Sequence, residues 1–305
     1  MSAPLGAYGF RLAYPDAAEL PPNLIEIDPE SPLVTVTWRH ASTVRDIEEV
    51  SDDRVVYGFR GATTYLVERD PPRIGFDIPY IPPLDALVHP LLTIGISVLA
   101  RWRGDVTLHA GAFETETGAW GFFGAREAGK SSMLASLGER GYPVVADDLL
   151  AVQDGLVWAG PSCVDLRPDT AARFSGAGYM GIVGGRPRWR LRTSSGRFRV
   201  PLRGFFVLDW HEDPVITLEP LTTQERLQWI YRQEYIRLVG FADPAKMVSL
   251  VALPAWRLTR PRDWDATQEA VERVVEATQE WTTRTVGDAL PAVRPIQRDT
   301  RSSQR

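Results

Sequence analysis

The sequence predicts an α/β fold: a core built on a mixed sheet, preceded by a β-rich N-terminal region. Three observations carry this. Residues 1–95 hold repeated strand-like runs. From Val106 onward, strand-like and helix-like stretches alternate. Between one such strand and one such helix lies Gly124-Ala125-Arg126-Glu127-Ala128-Gly129-Lys130-Ser131, followed by Ser132.

In the N-terminal region, Leu33–Trp38, Val55–Phe59 and Thr63–Val67 are rich in β-branched and aromatic residues and read as strands. The pairs Pro71-Pro72 and Pro82-Pro83 punctuate them. A helix is expected from Leu84 to Ala100. Val106–Phe113 reads as a strand, Thr115–Gly118 as a turn, and Ala119–Phe123 as a second strand. The helix from Ser131 should stop at Gly141, a residue type suited to the left-handed C′ position. Tyr142–Ala146 is a further strand that delivers Asp147 and Asp148. Leu149–Trp158 reads as a hairpin turning at Asp154-Gly155, and Val200–Trp210 as a strong strand. Amphipathic helices are expected over Thr223–Leu238 and Trp264–Trp281. The organisation is then a β-rich region over 1–95, a nucleotide-binding unit over 96–260, a C-terminal helix within 261–291 and a disordered tail over 292–305, whose polar, proline-interrupted composition cannot offset its ordering entropy.

Composition narrows the function. At 305 residues, 44% apolar and 24% charged, the chain has the make-up of a soluble globular protein with room for a large core. A net charge of −5 gives no electrostatic case for nucleic acid. No apolar run is expected to reach membrane-spanning length, and the first ten residues lack the basic start and apolar stretch of a signal peptide. The single cysteine, Cys163, excludes an internal disulfide and a thiolate metal cluster. A cytoplasmic setting is expected, with room for a homo-oligomer.

The glycine-containing run has the spacing G-x-x-x-x-G-K-[ST], which cradles nucleotide phosphates. Gly124 and Gly129 permit backbone angles closed to other residues, so the loop N–H groups can turn inward beside the positive end of the following helix. Residues 124–132 are therefore the expected nucleotide site, with Lys130 on the β- and γ-phosphates and Ser131 on Mg²⁺. Lys130 is one of two lysines, with Lys246, among 34 basic residues. A compact ammonium suits this position better than a planar guanidinium.

Asp147 and Asp148 form the second signal, since ligands of open α/β sheets bind at the carboxyl ends of strands. One carboxylate can hold a cation while the other accepts the proton of an attacking hydroxyl. A capping or turn pair is the plainer explanation for aspartates at a strand end.

Three segments, in order, resemble the HPr kinase/phosphorylase family and the HPr-kinase-like proteins found beside peptide natural-product genes: Leu108-His-Ala-Gly111, Gly124–Ser132, and Gly141-Tyr-Pro-Val-Val-Ala-Asp-Asp148. The likeness covers about residues 100–170. It implies a core akin to phosphoenolpyruvate carboxykinases, Asp147 as the catalytic base, Asp148 in the metal shell, and His109 near the aspartates and phosphates. His109 also fits a buried strand histidine with a satisfied hydrogen bond. Val164-Asp-Leu-Arg167 faintly resembles a family segment that would put Asp165 near Mg²⁺ and Arg167 near phosphate, although a plain Asp–Arg surface pair explains both residues.

The loop interior, Ala125-Arg-Glu-Ala128, departs from the family's serine and glycine, so Glu127 must point away from the phosphates. The long C-terminal signature tied to phosphorolysis is not found. Arg197, Arg199 and Arg203 fit either anion contacts or an exposed basic strand. The expected function is ATP- and Mg²⁺-dependent phosphorylation of a hydroxyl, with a serine of a small protein or precursor peptide as the first choice. A small-molecule hydroxyl kinase and a nucleotide-binding regulatory module with little catalysis are the rivals.

Overall fold

The computed structural model describes residues 3–287 except 43, 45–46, 60–61, 184, 214, 236 and 241. The tail expected over 292–305 lies outside the described residues. Eight strands come first: β1 (Leu5–Ala7), β2 (Phe10–Ala13), β3 (Ile25–Glu26), β4 (Leu33–His40), β5 (Glu48–Val50), β6 (Arg54–Phe59), β7 (Thr63–Glu68) and β8 (Arg73–Ile78). They make one sheet in the order β3-β1-β2-β4-β8-β7-β6-β5, in which β2, β4 and β8 run parallel. The three strands expected here lie in β4, β6 and β7. In β8, Ile74, Phe76 and Ile78 are buried and the residues between them are not, so alternation assigns one face to the core.

The helix expected from Leu84 is in two pieces, a 3₁₀ turn at Leu84–Leu87 and α1 at Leu91–Arg103. Pro90 stands at the N-cap of α1, where a proline ring is tolerated, and no helix runs through it unbroken. The expected division at residues 95 and 96 falls inside α1. Every residue from Leu91 to Ala100 is buried, because α1 packs on β7 and β8 and also on β9 (Val106–Leu108). By length and composition Leu84–Arg103 is apolar enough to cross a membrane, contrary to the sequence expectation, but most of it is buried inside the protein. It is a core helix.

The remaining elements are β10 (Gly111–Thr115), β11 (Gly118–Gly124), α2 (Lys130–Glu139), β12 (Val144–Ala146), β13 (Leu150–Gln153), β14 (Leu156–Trp158), β15 (Cys163–Leu166), α3 (Pro168–Ala171), β16 (Gly178–Val183), β17 (Arg186–Arg192), β18 (Arg199–Trp210), β19 (Thr217–Pro220), α4 (Thr223–Arg232), α5 (Pro244–Val251), β20 (Ala255–Arg260) and α6 (Trp264–Gly287). The strand expected over Val106–Phe113 is broken at His109 and Ala110, leaving β9 and β10. The hairpin turns as expected, with Asp154 and Gly155 both at positive φ, 51° and 75°. Strand β18 is the axis of a nine-stranded sheet, parallel to β11 and β20 and antiparallel to β14. With both parallel and antiparallel pairs, the fold is mixed α/β.

One consequence of register positions the site. Strand β10 is antiparallel to both β11 and β12, so β11 and β12 run the same way. Their carboxyl ends emerge at one edge, so the loop that leaves Gly124 and the strand end that carries Asp147 lie on the same side of the sheet, and Ser131 reaches Asp147. Helix α4 stops at Arg232 rather than Leu238, since the chain turns back onto the β9 edge: Tyr235 N–H donates to Thr107 O at 2.8 Å and His109 N–H to Gln233 O at 2.6 Å. Helix α6 extends past Trp281 to Gly287 and, with α2, packs on a second core cluster that includes Phe113, Trp120, Phe122 and Phe206.

The approach of α1 to β8 depends on Gly95, where an added Cβ would sit 2.6 Å from Ile74 Cγ2 and 2.9 Å from Cδ1. Alanine gains roughly 1 kcal/mol over glycine in a helix interior, yet overpacking costs about 1–3 kcal/mol. Gly95→Ala should therefore be destabilising in urea titration. Combined with Ile74→Ala it should show a favourable coupling of about 1 kcal/mol. Strict additivity would show that the helix does not rest on Ile74.

Candidate active site

The loop from β11 to α2 is held from beneath. Gly129 caps α2 at φ 88°, and a Cβ there would lie 2.5 Å from Arg260 Nη2, so this position requires glycine both for its angle and for its space. Arg260, at the end of β20, is fully buried. Its Nη2 donates to Ala128 O at 2.9 Å, and its guanidinium lies 4.1 Å over the Trp210 ring. Trp210 Nε1–H donates to Glu127 O at 3.0 Å. Burial pulls the Arg260 guanidinium down to about 10.

Lys130 is buried, and its Nζ donates to the carbonyls of Gly124 at 3.0 Å and Ala125 at 3.4 Å. Burial lowers its pKa, and the Asp148 and Asp147 charges oppose that. Glu127 stands at φ 70°, and its carboxylate meets Arg167 at 2.9 Å and Arg126 at 4.0 Å. Its charge is thus directed to two arginines, and Arg167 is engaged by Glu127 rather than Asp165. Ala125, Arg126 and Glu127 are exposed and Ala128 is buried. Ser132 Oγ is 3.4 Å from Thr170 Oγ1.

Ser131 Oγ–H donates to Asp147, with its oxygens at 3.2 and 3.4 Å. Asp147 is buried and also accepts the Asp165 N–H at 3.2 Å. Burial first, then the Asp148 and Asp165 charges, push its pKa up to about 7. Asp148, next in sequence, occupies the left-handed region at φ 70° and faces the other way. Its side chain is 35% exposed, and Oδ1 lies 3.8 Å from His109 Nδ1. Burial opposes its ionisation, but the facing His89, His109, Arg188 and Lys130 outweigh that and hold its pKa below the usual range.

His109 sits in the gap between β9 and β10, its ring 6.0 Å from that of Tyr235. It is 39% exposed rather than a sealed strand histidine. Burial lowers its pKa against the pull of Asp148, so the ring is neutral near pH 7.

The structure corrects the expectation for Asp165. Its carboxylate accepts from Arg188 at 3.0 Å and from Arg190 at 2.8 and 2.9 Å, and lies 3.7 Å from the buried His89 Nε2. It is neither a surface pair with Arg167 nor a free metal ligand; it reaches the site through its backbone N–H. Among the described residues no three His, Cys, Asp or Glu side chains are grouped to hold a metal. A divalent cation here would take Ser131 and a carboxylate, with phosphate oxygens completing its shell, an arrangement that suits Mg²⁺. Arg197, Arg199 and Arg203 are engaged away from the site by Glu114, by Trp158 and Gln153, and by Thr117 O respectively.

Sequence reasoning missed Arg188, Arg190, His89, Trp210 and Arg260. The alternation in Arg186-Pro-Arg-Trp-Arg-Leu-Arg192 was the available signal for the first two, since period two puts Arg186, Arg188 and Arg190 on one face.

No family model matches this chain, and no curated protein matches it. Among solved structures it is similar to the Hpr(Ser) kinase/phosphatase from Coxiella burnetii, with 11% identity over 58% of this chain and 98% of that one, at a TM-score of 0.28. At that score nothing about the site is carried across.

The raised pKa of Asp147 sets a pH dependence. The folded chain retains a proton that the unfolded chain releases between about pH 4 and 7, so stability is highest below that window and falls as pH rises through it. In metal-free buffer with EDTA, the melting temperature should drop from pH 5 to pH 8. Asp147→Asn should flatten the drop and stabilise the protein at pH 8 by on the order of 2 kcal/mol. An unchanged pH profile in the variant would place the responsible group elsewhere.

Proposed function

We propose that the protein is an ATP- and Mg²⁺-dependent kinase that transfers the γ-phosphoryl group to a hydroxyl. The observation that carries this is the meeting of Lys130, Ser131 and two differently placed aspartates at one sheet edge, with Ser131 Oγ 3.2 Å from Asp147. A loop serine beside a strand-end aspartate is the pair that holds Mg²⁺ in phosphate-loop enzymes.

The geometry favours roles reversed from those the resemblance implies. Asp147 is buried against Ser131 and belongs on the metal side. Asp148 is partly exposed, faces His109, and can meet an incoming hydroxyl. Mg²⁺ held by Ser131 and Asp147 would supply charge neutralisation at the phosphates, and a cation beside Asp147 would also pull its raised pKa down. Lys130 exchanges its two loop carbonyls for phosphate oxygens when nucleotide enters. The acceptor oxygen forms its bond to the γ-phosphorus as the bond to the β–γ bridging oxygen breaks, and ADP leaves. The acceptor proton passes to Asp148, late in a loose transition state, so the low basicity of Asp148 is no obstacle. His109 stands beside the Asp148 carboxylate, 3.8 Å away. A serine of a small protein or precursor peptide remains the preferred acceptor, in the cytoplasm where ATP is at hand.

ADP release and transfer of labelled γ-phosphate, assayed with a panel of serine peptides and small alcohols, test this reading. Lys130→Met should lower turnover by about 10²-fold or more while leaving the fold intact. Asp148→Asn should bind ATP normally but transfer about 10²-fold more slowly, whereas Asp147→Asn should chiefly raise the Mg²⁺ concentration needed for half-maximal rate. Wild-type turnover in folded Lys130→Met sinks the kinase reading. The opposite pattern in the two aspartate variants restores Asp147 as the base.

A further inference from the structure

Alternation puts four arginines on one face of β17; Arg192, at its far end, is exposed, and of the other three only two have partners. Arg190 is bound by Asp165, by Asp85 at 3.7 Å and by backbone carbonyls of Asp85 and His89. Arg188 is bound by Asp165 and by Val183 O at 3.2 Å. Arg186 is next in the row, paired through its backbone to Val183 at the turn end of the β16–β17 hairpin. It is partly buried. Among the described residues its guanidinium has no ion pair and no side-chain hydrogen bond. Of the charges that act on it most strongly, Arg188, Arg167 and Arg126 are positive and Asp148 is negative.

A half-buried guanidinium among like charges is unfavourable until an anion joins it. Nucleotide phosphates have partners of their own in the loop amides and Lys130, so the anion left for Arg186 is assigned to the acceptor. Arg186 follows Arg188 on the strand face that reaches Asp165 and, through the Asp165 N–H, Asp147, and it feels the charge of Asp148, the carboxylate proposed to meet the acceptor. A guanidinium recognises carboxylate or phosphate through paired N–H donors, which fixes orientation as well as charge.

We propose that Arg186 is an acceptor-binding residue, and that the acceptor carries an anionic group, carboxylate or phosphate, close to the hydroxyl that is phosphorylated. The proposal rests on the kinase reading above and names the substrate class for it. In a peptide, the anion is an acidic residue beside the serine; in a small molecule, it is a carboxylate on the carbon next to the hydroxyl. Neighbouring Arg126 and Arg167 carry Glu127 between them, so Arg186 is the guanidinium free to take the charge.

The test uses matched pairs: acetyl-Asp-Ser-Asp-amide against acetyl-Asn-Ser-Asn-amide, and glycerate against glycerol. With the wild-type protein, the anionic member of whichever pair is phosphorylated should show a KM about tenfold or more below its neutral partner. In Arg186→Gln that preference should shrink to within about twofold while the KM for ATP stays put. Arg186→Glu should turn the preference towards acetyl-Lys-Ser-Lys-amide. Equal KM values for both members of each pair in the wild type overturn the proposal. So does a rise in the ATP KM of Arg186→Gln with the charge preference kept, which would assign Arg186 to the nucleotide. Calorimetric titration of hydroxyl-free acetyl-Asp-Ala-Asp-amide and malonate into wild type and Arg186→Gln decides the anion site without turnover. Binding lost in the variant supports it, and absence of binding to the wild type overturns it. Failure of the wild type to bind ATP, or full activity in Lys130→Met, would instead remove the kinase reading and leave the anion titration to stand alone.

Discussion

The site hangs on one buried carboxylate. Asp165 is clamped by Arg188 and Arg190 across the β15–β17 register, and that clamp fixes the backbone whose N–H reaches Asp147. Arg190 extends the network to carbonyls of Asp85 and His89, just ahead of α1. Three parts of the chain that are distant in sequence thus meet on a single acid. Removing that acid would leave buried Arg188 without an ion pair and Arg190 with only Asp85 at 3.7 Å, a costlier state than lacking the whole group. Buried networks of this kind set geometry closely because each member has few other places to bond.

A second support lies beneath the loop. Arg260 and Trp210 hold the carbonyls of Ala128 and Glu127, and Gly129 lets the guanidinium approach so closely. The loop therefore keeps its shape without nucleotide. Lys130 waits on the carbonyls of Gly124 and Ala125, where its charge is partly satisfied yet readily transferred to a stronger acceptor. On the kinase reading proposed above, nucleotide binding would exchange contacts rather than assemble a site from disordered chain, which limits the ordering entropy to be overcome.

Much of this was legible in the sequence where the signal was local. The phosphate-loop spacing, Gly141 after α2, the Asp154-Gly155 turn and the paired aspartates are all set by neighbouring residues. What escaped was set by partners far along the chain. Nothing near Arg260 indicates that it lies under residues 128 and 129. The arginines of β17 gave no sign of a buried partner until β15 supplied Asp165. The break at His109 was hidden because the residues around it favour strands, and the segment after α4 takes its backbone hydrogen bonds at that point. Which aspartate meets Ser131 was beyond reach as well: two adjacent acids look alike until the left-handed turn at Asp148 sends them apart.

Helix α1 carries a further implication. Its first ten residues are covered on all sides, by β7 and β8 on one flank and β9 on the other. A polar outer stripe, the usual mark of a helix at the rim of a fold, is missing until its final turn. The eight strands ahead of it thus act as half of its wrapping. A shortened chain beginning after them would present a bare apolar rod to water, so the half that carries the loop and the paired aspartates is not portable: grafted or expressed without its leading sheet, it would clump before it could bind anything.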